Sequence, residues 1–218
     1  MALSLFAHPF SSYCQKALVA LYENGTPFTY RLLDQSEPAN FAEFAALWPI
    51  RRFPLLLDGD RPIAEATIIG EHLDLHHPGP ARLIPDERGA ALEVRFLDRF
   101  FDNYVHTPMQ KIVLDTMRGE GEHDPRGVAD ARALLDTAYG WLDEHMAARD
   151  WAAGEFGLAD CAAAPALFYA DWVQPIGETY PAVRAYRARL NARPSFARAI
   201  DEARPYRHYF PPGAPACD

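Results

Sequence analysis

Two short stretches of this chain concentrate the groups able to do chemistry. Phe10-Ser11-Ser12-Tyr13-Cys14 closes an expected first strand, and Arg51-Arg52-Phe53-Pro54 precedes the apolar run Leu55-Leu56-Leu57. Hydroxyls where a strand gives way to a helix, with a proline opening a strand of the same small domain, point to a site that handles a thiol. Ser11 has a second reading as the N-cap of the following helix, a position serine fills routinely. Cys14, a turn further in, reads as a small core residue rather than a nucleophile. The three cysteines, Cys14, Cys161 and Cys217, are odd in number and far apart, which argues against a disulfide framework or a structural zinc site and for a reducing compartment. His76 and His77 are adjacent and do not share a helical face. With no third ligand nearby in sequence they read as helix C-terminal chemistry, and no metal is expected.

The elements that must position these residues follow from periodicity. Leu3-Ser4-Leu5-Phe6-Ala7 is a buried-strand pattern, and Gln15 to Asn24 is helical, with apolar Ala17, Leu18, Leu21 and Tyr22 and a cap at Gly25. Phe28 to Leu32 predicts a second strand, and Ala39 to Leu47 a helix that stops before Trp48-Pro49. Pro54-Leu55-Leu56-Leu57, Asp58-Gly59-Asp60 and Pro62-Ile63-Ala64 predict a hairpin with an Asp-Gly turn, and a third helix runs from Glu65 to His76. His77-Pro78-Gly79-Pro80 is a breaker cluster. Beyond it, residues 88–117, 127–148, 160–173 and 181–191 carry helical spacing, with 118–125 a polar loop and no convincing strand. The fold class expected is α/β plus all-α: a βαβαββα domain over 1–78, a linker over 79–87 and an all-helical domain over 88–218.

Composition narrows the function classes. A chain of 218 residues, 49% hydrophobic, has enough apolar mass for two modest cores. Its net charge of −9, with 30 acidic against 21 basic residues and no basic stripe, disfavours a nucleic-acid partner. Met1-Ala2-Leu3-Ser4-Leu5 lacks the features of a leader, and no apolar run approaches the roughly 18 residues of a membrane span. A cytoplasmic location and no membrane association are the expectations.

Several motifs, in order over nearly the whole chain, carry a family resemblance. They are Phe10-Ser11-Ser12-Tyr13-Cys14-Gln15-Lys16, Phe53-Pro54 before Leu55 to Leu57 and Asp58-Gly59, and Glu65-Ala66-Thr67-Ile68-Ile69-Gly70-Glu71-His72-Leu73. The helical half adds Gly154-Glu155-Phe156-Gly157-Leu158-Ala159-Asp160, Tyr180-Pro181-Ala182-Val183 and Arg193-Pro194-Ser195-Phe196. The chain thus resembles a cytosolic glutathione S-transferase of the bacterial, serine-dependent type, with a thioredoxin-like first domain. The resemblance implies glutathione as co-substrate, a small apolar electrophile, a detoxifying role and a homodimer. A catalytically silent glutathione transferase-like binding or regulatory protein is the alternative.

The resemblance also implies roles for individual residues. A thiol of ordinary pKa near 8.5 is only a few per cent thiolate at pH 7, and lowering it by about two units takes roughly 2.7 kcal/mol. A hydroxyl bonded to the sulfur contributes about 1.5–3 kcal/mol and a helix N-terminus up to about 1 kcal/mol. Ser11 is the implied donor, with Ser12 next and Tyr13 after it, since the tyrosine-dependent relatives carry that residue on the first strand, where this chain has Phe6. Glutaredoxin-like relatives read C-P-Y-C where this chain reads Ser11-Ser12-Tyr13-Cys14, so disulfide exchange is not expected. Phe53-Pro54 matches the cis-proline pair whose backbone holds the cysteinyl unit, although a trans proline at an edge strand is the plain alternative. Arg52, then Arg51, would hold the glycyl carboxylate, and Glu65 the γ-glutamyl ammonium. Ala66 stands where relatives have serine, leaving helix-start N–H groups or Thr67 to bind the γ-glutamyl carboxylate. Phe10, Tyr104, His106 and Met109 are expected to line the electrophile pocket, with a partly exposed His106 also readable as surface. Trp48-Pro49 departs from the usual Asn-Pro, and Gly157 replaces the Ser or Thr that caps the helix carrying a structural Asp160.

Overall fold

The computed structural model describes residues 2–216; Cys217, to which no role was assigned, lies outside them. Strands β1 (Leu3–Ala7), β2 (Phe28–Leu32), β3 (Leu55–Asp58) and β4 (Arg61–Ala64) form one sheet in the order β2-β1-β3-β4. β2 runs parallel to β1, and β3 and β4 run antiparallel to their neighbours. Helices α1 (Ser12–Glu23) and α2 (Pro38–Leu47) make the crossovers, and α3 (Ala66–His76) follows the hairpin.

The side-chain alternation of a strand divides the core between the two faces of this sheet. Leu3, Leu5 and Ala7 of β1 join Leu56 against α1 and α3, whereas Phe6 and Leu55 meet Phe44 of α2 on the other face. Trp48 packs into this second cluster, which gives it an apolar role where relatives carry asparagine. Gly25 follows α1 at φ 58, a left-handed conformation that costs glycine nothing.

The second half is helical: α4 (Arg88–Phe100), α5 (Thr107–Asp115), α6 (Pro125–Met146), α7 (Leu158–Val173), α8 (Pro181–Ala192) and α9 (Pro194–Ala203), ending in a 3-10 segment Arg204–Tyr209. α7 and α9 pack on α1, so one apolar cluster runs from Leu3 to Phe210. Two expectations need correction. The stretch read as a uniform helix over 88–117 is broken by a π-helical turn at Phe101–His106. Thr107 N–H reaches back five residues to the Asp102 carbonyl, which also accepts from Thr107 Oγ1 at 2.8 Å, and Pro108, next in the chain, has no N–H for the ladder. α9 is an element that the 181–191 periodicity did not include; it opens on Pro194 and buries Phe196, Ala199 and Ile200.

Asp160 is structural, as expected. It is fully buried and accepts from the N–H groups of Gly157 and Ala152 at 2.9 Å and from the Tyr186 hydroxyl at 2.5 Å. Gly157 is required by contact rather than by φ: a Cβ there would lie 2.7 Å from the Leu83 carbonyl oxygen, to which Leu158 donates at 2.9 Å. Among the described residues no helix is long and apolar enough to cross a membrane.

Candidate active site

Strand register brings the three motifs to one end of the sheet. Phe6 pairs with Leu55, and Leu55 with Ala64. The chain leaving β1 toward Ser11, the chain entering β3 through Phe53-Pro54 and the chain leaving β4 into Glu65 therefore emerge side by side. The Phe53–Pro54 peptide is cis, in agreement with the expectation from resemblance.

Ser11 is the N-cap of α1, its Oγ accepting from Cys14 N–H at 3.4 Å. Capping uses an oxygen lone pair and leaves the hydroxyl hydrogen free to donate, so both readings of Ser11 are compatible in one side chain. Cys14 is fully buried, and burial pushes its thiol up to about 12, which keeps it protonated and inert. Ser12 Oγ lies 2.8 Å from His106 Nε2. The His106 ring stacks on Tyr13 with centroids 4.0 Å apart. Burial, reinforced by the nearby Lys16 charge, lowers its pKa to about 3, so this imidazole is neutral at physiological pH. The expectation of a partly exposed surface histidine is corrected: His106 is 2% exposed, because the π-helical turn directs it onto α1.

The start of α1 separates two clefts. A polar cleft of about 320 Å³ is lined by Tyr13, Glu65, Ala66 and Thr67, with Arg95 and Arg99 opposite. Glu65 is the N-cap of α3 at φ 74 and makes no side-chain capping bond. A left-handed conformation in a non-glycine residue costs of order 1–3 kcal/mol. With no capping bond from Glu65, α3 begins with N–H donors that no side chain of its cap satisfies. Burial first, and then the Asp102 charge, push the Tyr13 phenol up to about 12, so it stays protonated.

Beneath this cleft lies a charged cluster with no counterpart in the sequence reading. Lys16 is 1% exposed, with its Nζ 2.7 Å from Asp98 and 2.9 Å from Asp102. Thr67 donates to Asp98 at 2.9 Å and accepts from Lys16 at 2.9 Å, and Arg99 closes the group from outside with bonds to Asp98 at 2.6 Å and Asp102 at 2.7 Å. The Thr67 hydroxyl is therefore engaged inward. The available signal was Lys16 itself, a cation inside the otherwise uncharged run Cys14–Leu21, which is buried throughout. Such a charge needs a buried counter-charge.

A second, apolar cleft of about 200 Å³ is lined by Phe10, Ser11, Ser12, Met109, Leu114 and Phe210. Phe10 and Met109, both expected in the electrophile pocket, line this cleft. Tyr104 and His106 do not line this cleft. Tyr104 is half exposed on α4's side of the π-helical turn, against Phe100 at 5.7 Å, and His106 sits behind Ser12. Phe210 comes from beyond α9, too far along the chain for local spacing to signal. Arg51 and Arg52 are exposed in the loop before β3 and line neither cleft; Arg51 has φ 56.

Comparison with known proteins identifies the family and the fold. The family profile "Glutathione S-transferase, N-terminal domain" matches residues 5–81, and "Glutathione S-transferase, C-terminal domain" matches residues 125–189. The chain is 27% identical over 222 residues to glutathione S-transferase hmp2 of Hypomyces subiculosus, covering 94% of this chain and 100% of that one. It is also 27% identical over 217 residues to a probable maleylacetoacetate isomerase of Vibrio cholerae, covering 94% and 98%. The crystal structure of a glutathione S-transferase from Methylobacillus flagellatus with GSH bound superposes with a TM-score of 0.80 at 24% identity, over 91% of this chain and 98% of that one. With profiles for both halves matched in order and together spanning more than half of the sequence, the chain belongs to the glutathione S-transferase family.

Proposed function

We propose that this protein binds glutathione in the polar cleft and directs its thiolate onto an electrophilic carbon of a small apolar substrate in the second cleft. The observation that carries this reading is the shared wall. Tyr13 faces one cleft and Ser11 and Ser12 face the other, so a sulfur at the head of α1 would meet both compartments. The residues fit the tripeptide. The uncapped start of α3 at Ala66 and Thr67 suits the γ-glutamyl carboxylate, and Glu65 is free to accept from the ammonium. The cis Phe53-Pro54 backbone would pair with the cysteinyl unit. Arg52, exposed on the same sheet end, would reach the glycyl carboxylate through charge-assisted bonds.

Ser11 is the proposed thiol-activating residue. Its O–H donates to sulfur while its oxygen caps α1, combining a bond to a charged acceptor with the helix N-terminus. The products follow simply: the S–H proton passes to solvent, a sulfur–carbon bond forms, and the electron pair goes to the electrophile or its leaving group. Isothermal titration with glutathione and with its analogue carrying alanine for cysteine, combined with turnover of an activated aryl halide, tests the reading. Binding of both ligands together with glutathione-dependent turnover supports it, and absence of binding overturns it.

One observation favours the silent binding protein as a second reading. Ala66 has no hydroxyl and Thr67 directs its own into the Lys16 cluster, so the γ-glutamyl end would rely on backbone donors. Glutathione binding without turnover of any electrophile would select this alternative.

We also propose a symmetric homodimer built on α3 and α4. Leu75 is 73% and Leu92 69% exposed, and Ile68 and Phe96 are half exposed on the same two helices. Isologous pairing of such faces is the commonest form of oligomer.

A further inference from the structure

The end of the sheet remote from Ser11 holds a second constellation. Asp58 closes β3 and pairs with Leu3, at the opposite end of β1 from the Ser11 turn. His72 lies on α3, and His77 is the C-cap of that helix, where the chain departs from helical geometry. His72 Nε2 and His77 Nε2 converge on the same Asp58 oxygen, Oδ2, at 2.9 and 2.8 Å. One donor atom from each of the three side chains lies within 4.8 Å of the others. The remaining carboxylate oxygen, Asp58 Oδ1, is buried and has no hydrogen-bond partner. Adjacency of His76 and His77 in sequence was misleading here: the helix pairs His77 with His72, and the hairpin supplies the third group.

We propose that Asp58, His72 and His77 form a binding site for a divalent transition-metal ion of the zinc type. Two imidazole nitrogens and one carboxylate make a donor set suited to zinc, cobalt or nickel rather than to magnesium or calcium, which take oxygen ligands. Bonds of about 2.0–2.2 Å in tetrahedral geometry separate ligand atoms by about 3.4 Å, so the present N···O distances need to open by only about half an ångström. Each imidazole then binds through Nε2 and carries its proton on Nδ1, and Asp58 contributes a carboxylate oxygen. His77 is partly exposed, which gives an ion a way in and allows water to complete the coordination. The bound ion would clip the β3–β4 turn to the end of α3, well away from the thiol site, as a structural rather than a catalytic centre.

The test is titration of the full chain with zinc alone, followed by competition with a chromophoric chelator and by thermal unfolding, and repeated with cobalt. The expected result is one equivalent bound, a rise in melting temperature that saturates at that equivalent, and the visible absorption of a tetrahedral cobalt ion. Asp58→Asn and His77→Gln should each weaken binding by about ten-fold or more, since even outer partners of such ligands are worth that much, while His76→Gln leaves it unchanged. His77→Gln, at a half-buried cap, carries the test if Asp58→Asn fails to fold. No stoichiometric uptake by the unmodified chain, equal uptake in His77→Gln, or a loss confined to His76→Gln would overturn the assignment.

Discussion

The Ser12 hydroxyl lies 2.8 Å from Nε2 of His106, tying the first turn of α1 to the π-helical turn that follows α4. The two serines at the head of α1 are thereby given different tasks. Ser12 is held by a neutral imidazole, whereas Ser11 accepts the capping N–H of Cys14 and has only the buried Cys14 thiol beside it as a side-chain partner, so its hydroxyl can turn to a ligand. The first prediction follows from this division. Ser12→Ala should reduce turnover modestly through loss of positioning, while Ser11→Ala should remove the greater part of it. The two variants compared at saturating glutathione, near neutral pH, check the order of effects; equal losses would contradict it.

The neutral state of His106 has a consequence for stability. The folded chain holds this imidazole at about 3, below its ordinary value near 6.5. Between those values the unfolded chain takes up a proton that the folded chain refuses, so stability falls as pH drops through that window and is independent of this group above it. By pH 4 the loss from this one group is about 3 kcal/mol. His106→Gln removes the titrating group, and urea unfolding at pH 7 and pH 4 should show the acid-induced loss shrinking by about that amount. Parallel losses in the two proteins would contradict the burial argument.

Lys16 is the only cation within its buried run, facing Asp98 and Asp102. Lys16→Met leaves those carboxylates without it, and breaking a buried pair from one side costs roughly 3–5 kcal/mol. The double variant Lys16→Met/Asp98→Asn should recover part of the loss, since the stranded charge goes with its partner. Chemical denaturation of the three proteins measures this, with equal stability of the single and double variants as the contrary outcome.

The exposed apolar faces of α3 and α4 predict that Leu75→Glu and Leu92→Glu convert a dimer to monomers. Sedimentation at micromolar concentration should show a shift toward the 24.4 kDa single chain. A wild-type protein already sedimenting as that species would contradict the proposed assembly.

Much of the scaffold was legible because its patterns are local. Leu3–Ala7 and Phe28–Leu32 are strands to the residue, since a short apolar or alternating run between turn residues admits few other readings. α9 and the π-helical turn were not read: Pro194 opening the spacing Phe196, Ala199, Ile200 and Ala203 was a local signal for α9 that went unused, whereas the π-helical turn changes only the ladder spacing and leaves no such pattern. The same distinction holds at the site. Ser11, Phe53-Pro54 and Glu65 are marked by their neighbours in sequence, and the sheet brings them to one end. The Ser12–His106 contact, the Lys16–Asp98–Asp102 cluster and the Asp58–His72–His77 group join residues from different elements, and no spacing along the chain announces them. Thr67 illustrates the limit: its type permits a ligand contact, but only the position of Asp98 reveals that its hydroxyl is engaged elsewhere.

The central claim is that the Ser11 hydroxyl stabilises a bound thiolate, and the thiolate absorbance of the glutathione complex titrated against pH tests it most directly. In the unmodified protein the bound thiol should titrate about two units below its ordinary value near 8.5. In Ser11→Ala it should move back up by about one to two units, the equivalent of losing one bond to a charged acceptor. Turnover of the variant should recover correspondingly at high pH, where solvent supplies the thiolate. An identical titration in the two proteins, with full activity retained by Ser11→Ala, would contradict the account.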